Sequence, residues 1–254
     1  MNIRMATLPQ LLRDHARRSP QRLSQRHKTR GIWREYDFSQ VQRNVMELAL
    51  GLHQLGIQRG ETVAIIGENE PQHYWAEYAA QAVGCKVISL YPDLTADEVQ
   101  YLLDDSEAVC LFAQDQEQVD KGLAVKTATP ILRHIVYWDD TGMWSYRDPI
   151  LRKFHQLQSE GRSLGEKDEL MYDRLVDQGR PDDIAVLSYT SGTTGFPKGV
   201  MHSFGNLAWA IAAGLQRVPM SADDRMLSYL PLAHVVERVL VEHGWLQTVM
   251  SLYF

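Results

Sequence analysis

The sequence predicts an α/β fold of mostly parallel sheets covered by helices, and three observations predict it. Short continuous apolar runs alternate with amphipathic helical stretches from residue 38 onward. Strands without polar alternation are buried on both faces, as in a parallel sheet flanked by helices. The 44% hydrophobic and 23% charged content is ordinary for a globular chain. The 254 residues suffice for one large domain or two small ones. No repeat or low-complexity tract appears, and the linker-like stretches 138–167 and 178–183 do not separate two folding units.

Leu8, Leu11, Leu12 and His15 recur at helical spacing, and Gly31–Tyr36 reads as an edge strand. Phe38–Leu55 is an amphipathic helix with Ser39 as cap and Gly56 as stop. Val63–Gly67 is a buried strand, Pro71–Val83 a helix and Lys86–Leu90 the next strand. Thr95 and Glu98 have capping-box spacing and open another helix. Ala108–Phe112 and Ile135–Tyr137 complete the parallel-type strands. Trp138–Lys167, polar and carrying Gly142, Pro149, Gly161 and Gly165, is expected to run irregularly over the surface. Glu169–Gln178 reads as helical, Asp183–Tyr189 as a buried strand, and Ser203 or Asn206 caps a helix through Ala213.

Residues 1–34 hold nine Lys/Arg and one acid, Asp14, although the whole chain carries a net charge of −6. Such a start is found in presequences and in arms that bind membranes or nucleic acid. The favoured reading is a solvated helix face followed by a strand, and nothing else points to nucleic acid. No apolar run approaches the roughly 18 residues that span a bilayer, and the first 30 residues lack a secretory core. Cys85 and Cys110 lie in apolar segments without CxxC spacing and read as buried reduced thiols of a cytoplasmic protein. Trp75, Tyr78, Trp209 and Trp245 sit at helical spacings and read as core.

Tyr189–Val200 reads YTSGTTGFPKGV, with three glycines, the hydroxyls of Thr190, Ser191, Thr193 and Thr194, and Lys198. Glycine lets backbone approach a ligand closely, and successive N–H groups in such a loop form an anion-binding concavity. A strand before it and a helix after it are the context of a phosphate site. The Walker loop, G-x-x-x-x-G-K-S/T, does not match: counted from Gly192, Pro197 takes its second glycine and Gly199 the magnesium-binding hydroxyl. Ser191 is not in a G-x-S-x-G elbow. His73, His134, His155, His202 and His243 form no HxxxH, HExxH or Cys/His metal spacing and read as surface or packing residues.

This string resembles the phosphate-binding signature of the adenylate-forming superfamily, which includes acyl-CoA synthetases, luciferases and peptide-synthetase adenylation domains. Tyr229–Arg238, YLPLAHVVER, resembles the L-P-L-x-H segment of that family, and its A-H-x-x-E form is similar to long-chain fatty acyl-CoA synthetases. The resemblance runs thinly from Leu8 to Phe254 and implies the N-terminal portion of the adenylate-forming fold. It also implies ATP, Mg2+ and coenzyme A as cofactors and a fatty acid as substrate. Thr190, Ser191, Gly192, Thr193, Thr194 and Gly195 would cradle the β- and γ-phosphates, with Thr190 also the magnesium contact. Lys198 would add charge toward the leaving pyrophosphate, and Phe196-Pro197 would shape the turn. His234 would help to position the α-phosphate and acyl carboxylate. Glu237, three residues on, would orient His234 or pair with Arg238 without being catalytic. Trp209 and a helix over His234–Trp245 lie where the family binds the acyl chain.

Leu246–Phe254 is apolar to the last residue, which reads as the middle of a strand and as a truncated chain. The expectation is therefore one incomplete AMP-binding domain over 1–254. The Y-G-x-T-E segment, a ribose-binding aspartate, a following arginine and the C-terminal domain with its catalytic lysine would lie beyond it. Little or no turnover is expected without the missing half or a complementing chain. The open alternatives are adenylation of another carboxylate or for a carrier-protein acceptor, and a non-catalytic nucleotide- or lipid-binding piece. Peripheral contact with a membrane is a further expectation of the family reading.

Overall fold

The computed structural model describes residues 5–190 and 197–254. In chain order the elements begin with α1 (Leu8–Arg18), β1 (Leu23–Thr29), β2 (Ile32–Asp37), α2 (Phe38–Gln54) and β3 (Thr62–Ile66). Next come α3 (Pro71–Ala82), β4 (Lys86–Leu90), α4 (Ala96–Asp105), β5 (Ala108–Ala113), α5 (Gln116–Val125) and β6 (His134–Tyr137). A 3-10 turn at Met143–Ser145 leads to β7 (Leu151–Lys153), α6 (Phe154–Lys167) and α7 (Met171–Asp177). Then follow β8 (Ile184–Thr190), β9 (Lys198–Ser203), α8 (Phe204–Arg217) and β10 (Arg225–Leu227). A π-helical stretch, Glu237–His243, runs into α9 (Gly244–Thr248), and β11 (Ser251–Tyr253) follows.

Seven strands form the larger sheet in the order β7-β6-β5-β3-β4-β8-β9, parallel except for the β8–β9 pair. Its central strands alternate their side chains between two cores. Val63 and Ile65 face the helices α1, α2 and α3, whereas Ala64 and Ile66 face Val99, Leu103 and Val119 of α4 and α5. This is the pleat of a strand buried on both sides. A second sheet has the order β10-β11-β1-β2, with β1 antiparallel to β2 and parallel to β11. The fold class is the one the sequence predicts, and β2 is an edge strand.

Three local readings change. Asp37, not Ser39, caps α2: its carboxylate accepts from Gln40 N, and the Gln40 side chain returns to Asp37 N. The stretch 138–167 is not an irregular excursion, because α6 occupies its second half and packs along α2. The glycines that suggested a loop allow that approach. A Cβ on Gly161 would lie 1.8 Å from Glu47 O, and one on Gly51 would lie 2.5 Å from Leu157 O. Arg162 then reaches Glu47 with Nε and Nη2 at 2.8 and 3.0 Å. Finally, the glycine-rich loop does not lead into a helix but returns as β9, antiparallel to β8.

Cys85 and Cys110 are buried and unbridged, and burial pushes the Cys85 thiol up to about 12 and Cys110 higher still. Trp75, Tyr78 and Trp245 are core residues, but Trp209 is 71% exposed on α8. Its neighbours on the apolar face of α8, Leu207, Ala208 and Ile211, turn inward instead. Among the described residues, no helix is long and apolar enough to cross a membrane.

Candidate active site

β8 and β9 form a hairpin whose register pairs Tyr189 with Gly199 and Thr190 with Lys198. Ser191, Gly192, Thr193, Thr194 and Gly195 lie outside the described residues, so the structure gives the neck of the loop. At that neck Thr190 and Lys198 are opposite one another and both exposed. The antiparallel pairing leaves this neck at the C-terminal end of β8, the end of an α/β sheet at which ligands commonly bind.

Helix α4 braces both shoulders of the loop. Tyr189 donates its hydroxyl to Asp105 Oδ2 at 2.6 Å, and Tyr101 donates to Pro197 O at 2.8 Å. Burial first, and then the bond to Asp105, raise the Tyr189 phenol, which stays protonated as a donor. Gly199 matters here because a Cβ would stand 3.1 Å from Tyr189 Cζ. A larger residue would push the ring that fixes the shoulder. Tyr101 and Asp105 carry no sequence signal beyond membership of an amphipathic helix.

The Tyr229–Arg238 segment is held against the carboxyl end of β3 by Asn69. Its side-chain nitrogen donates to Leu230 O at 2.7 Å and Ser228 Oγ at 2.8 Å, and its oxygen accepts from Leu232 N at 3.3 Å. The chain then makes a turn at Pro231–His234, with His234 N donating to Pro231 O. His234 is exposed, and its Nδ1 accepts from Val236 N at 3.2 Å. In the neutral ring the proton therefore sits on Nε2.

Glu237 does neither of the two things its spacing suggests. It is buried, accepts from Ser228 Oγ at 2.6 Å, and has its carboxyl raised by burial. Arg238 pairs instead with Glu77 at 2.5 Å and Glu242 at 3.3 Å, and donates to Ser89 Oγ at 2.8 Å. All three charged side chains are at most 1% exposed. Burial, then the neighbouring Glu77, drive the Glu242 carboxyl well up, despite Arg238. The π-helical stretch Glu237–His243 thus carries Glu237 toward Ser228 and Arg238 toward Glu77, with Glu242 one turn on against Arg238.

These supports bring two distant sequence segments to one pocket of about 440 Å³. Ser188, Thr190 and Pro197 line one side and Ala233, His234 and Val235 another, with Leu94 and Leu102 of the α4 region between. Ser188 Oγ is buried there without a hydrogen-bond partner among the described residues. A buried hydroxyl without a partner suits a wall meant to meet a polar ligand. Hydroxyls, a cation at the neck and an imidazole with a free Nε2 can together bind a phosphate-bearing ligand and a carboxylate beside it.

Residues 12–254 match the AMP-binding enzyme family. Relatives by sequence include the long-chain-fatty-acid–CoA ligase ACSBG1 of Macaca fascicularis, 31% identical over 84% of this chain and 29% of that one. The long-chain-fatty-acid–CoA ligase FadD15 of Mycobacterium bovis is 29% identical over 89% of this chain and 36% of its own length. The chain thus spans about a third of these relatives. By structure it is similar to a long-chain-fatty-acid–CoA ligase, FadD1, of Archaeoglobus fulgidus, with TM-score 0.79 and 20% identity. That match covers 100% of this chain and 48% of the other. The Mycobacterium smegmatis MbtA structure is similar with TM-score 0.80 and 22% identity, over 99% of this chain and 44% of that one. The loop neck, the clasped Leu-Pro-Leu-Ala-His segment and the sheet that carries both agree with these matches: the chain belongs to the AMP-binding enzyme family, as an acyl-CoA synthetase-like adenylate-forming protein.

Proposed function

We propose that this chain supplies the phosphate-loop half of an AMP-forming long-chain fatty acid–CoA ligase, and that it does not turn over by itself. The reaction is ATP + fatty acid + CoA to acyl-CoA + AMP + pyrophosphate. The observation that carries the reading is the common pocket of Thr190, Pro197 and His234, joined to the long-chain ligase names of the relatives.

ATP with Mg2+ supplies the leaving pyrophosphate, and coenzyme A the thiol that accepts the acyl group. For their part, Thr190 and the residues Ser191, Gly192, Thr193, Thr194 and Gly195 bind the phosphates, with the Thr190 hydroxyl also offered to the metal. Lys198 brings a mobile positive charge to the same neck. His234 uses Nε2–H to hold an anionic oxygen in place, which favours the charge that builds up as carboxylate and phosphate meet. Asn69, Tyr101 and Asp105 keep these groups in register. Support for a complementing half comes from the open edges: β9 and β10 each end a sheet among the described residues. Met201, Trp209, Leu227 and Tyr229 stand 57–71% exposed beside them.

The test is calorimetric binding of MgATP to this chain, with pyrophosphate release assayed beside it using palmitate, a short-chain acid and an aryl acid. The reading expects weak nucleotide binding, lowered at least tenfold by Lys198→Ala, about 1.4 kcal/mol for loss of a charge-assisted contact, and no pyrophosphate. Turnover by the chain alone would overturn the need for a second half. Absence of any MgATP binding would overturn the phosphate-site reading.

A further inference from the structure

The Asn69 clasp fixes the chain before His234, and a second device fixes it after. The His234 carbonyl accepts from Glu237 N at 3.1 Å and from Arg238 N at 3.4 Å. The imidazole-bearing residue and Arg238 therefore belong to one hydrogen-bonded turn. Arg238 is 1% exposed and reaches two other elements of the core. Its Nη1 pairs with Glu77 of α3 at 2.5 Å, and its Nη2 donates to Ser89 Oγ of β4 at 2.8 Å. Ser89 stands two residues before Tyr91, which lines the same pocket as His234. The guanidinium thus ties together two walls of that pocket, the strand end leading to Tyr91 and the turn carrying His234.

Its partners are themselves held in place. Glu77 Oε1 also accepts from Gln81 Nε2 at 2.9 Å, and Ser89 Oγ lies 3.0 Å from His73 Nε2. Arg238 O accepts from His243 Nδ1 at 3.0 Å. Glu242, its carboxyl driven up by burial, is the looser neighbour at 3.3 Å, which leaves Arg238–Glu77 as the ion pair. Stability alone does not account for such a pair. Removing these ions from water costs about as much as their attraction returns, so apolar side chains of similar volume would hold the fold as well. What apolar side chains lack is direction, because a guanidinium bonds only along the N–H vectors of its planar fork.

We infer that Arg238 is a positioning residue: bonded to Glu77 and Ser89, it sets the angle at which the turn presents the His234 imidazole to the pocket. Arg238 touches no ligand and acts through the turn. The consequence for nucleotide binding rests on the reading of His234 as a ligand-binding residue, whereas the orientation of the ring does not.

Nitrogen NMR of the imidazoles in this chain reads that orientation, with MgATP calorimetry beside it. His234 Nδ1 accepts from Val236 N, so at about pH 8, where imidazoles are neutral, the ring should show the Nε2–H tautomer alone. His234→Gln assigns the signal by its absence. Arg238→Met by itself strands Glu77 in the core, so the variant compared is the neutral trio Glu77→Gln, Arg238→Met, Glu242→Gln. It should keep the parent's far-UV circular dichroism, show both His234 tautomers, and bind MgATP about tenfold more weakly, as for one lost hydrogen bond to a charged group. Arg238→Lys, which keeps the cation but not the fork, should restore part of the single-tautomer signal. A folded trio variant with the His234 signal unchanged overturns the proposal, whatever its MgATP affinity. A trio variant that unfolds overturns it too, because the ions then hold the fold itself. A parent chain that binds no MgATP sinks the phosphate-site reading and leaves the tautomer comparison to decide this one.

Discussion

Replacing Gly161 by Ala tests the packing of α6 along α2. The new Cβ would lie 1.8 Å from Glu47 O and 2.6 Å from Gly51 N, both backbone atoms of α2 that cannot rotate aside. Relief needs α6 to retreat by roughly 1.5 Å to reach normal contact distances. That retreat strains the bidentate Arg162–Glu47 pair and opens the interface around Leu157. Overpacking against fixed backbone costs about 3 kcal/mol, and the better helix propensity of Ala returns about 1 kcal/mol. The net expectation is a loss of about 2 kcal/mol, a large share of a domain's stability. Gly165→Ala is the internal control: its Cβ meets only Leu50 Cδ1, at 3.0 Å, a side-chain tip that can move. It should be neutral or gain up to about 1 kcal/mol. Urea unfolding followed by far-UV circular dichroism measures both, and midpoints are compared at unchanged slope. A Gly161→Ala chain as stable as the parent, or a Gly165→Ala chain equally destabilised, would refute the close-packed α2–α6 contact.

Asn69→Ala removes the bonds that clasp Ser228, Leu230 and Leu232, and should destabilise the His234 segment by about 1–3 kcal/mol. Amide exchange at Leu232 should quicken by tenfold or more, and unchanged protection would count against the clasp. His73 is buried, bonded to Ser89 Oγ at 3.0 Å, and lowered to about 3 by burial and then by Arg238. The folded state therefore refuses a proton that the unfolded chain takes up below pH 6.5, so its contribution is present above 6.5 and is lost as pH falls toward 3. The slope is at most about 1.4 kcal/mol per pH unit. His73→Gln should remove that much slope between pH 6.5 and 4 relative to the parent, even while Glu242, raised by burial, contributes with the opposite sign. Equal slopes in urea titrations would refute the assignment.

Where local chemistry decides conformation, the sequence was legible. Thr95 and Glu98 form their capping box, and Lys86–Leu90 is a strand with those bounds. β1 was not legible because only Leu23 opens an otherwise polar run. Ser24 and Gln25 are nevertheless buried on an interior strand, where Gln25 Oε1 accepts from Trp75 Nε1 of α3. α6 was misread because Gly161 and Gly165 look the same in sequence whether they break a helix or admit a neighbour. The site shows the same division. Thr190, Lys198 and His234 come from motif strings, whereas Asn69, Tyr101 and Asp105 are named only by the atoms they reach.

The sequence by itself determined the family and the parallel α/β layering, because both reside in short strings: glycine and hydroxyl spacing in one case, unbroken apolar runs in the other. Only the tertiary structure decided that the chain returns as β9, that Glu237 turns away from His234, and that Arg238 is paired with Glu77 and Glu242. It also decided which cations of the first 34 residues are spent on carboxylates, as Arg13, Arg17, Arg22 and Arg26 are. Charge pairing joins residues as far apart as Arg22 and Asp223, and no local pattern encodes such a distance.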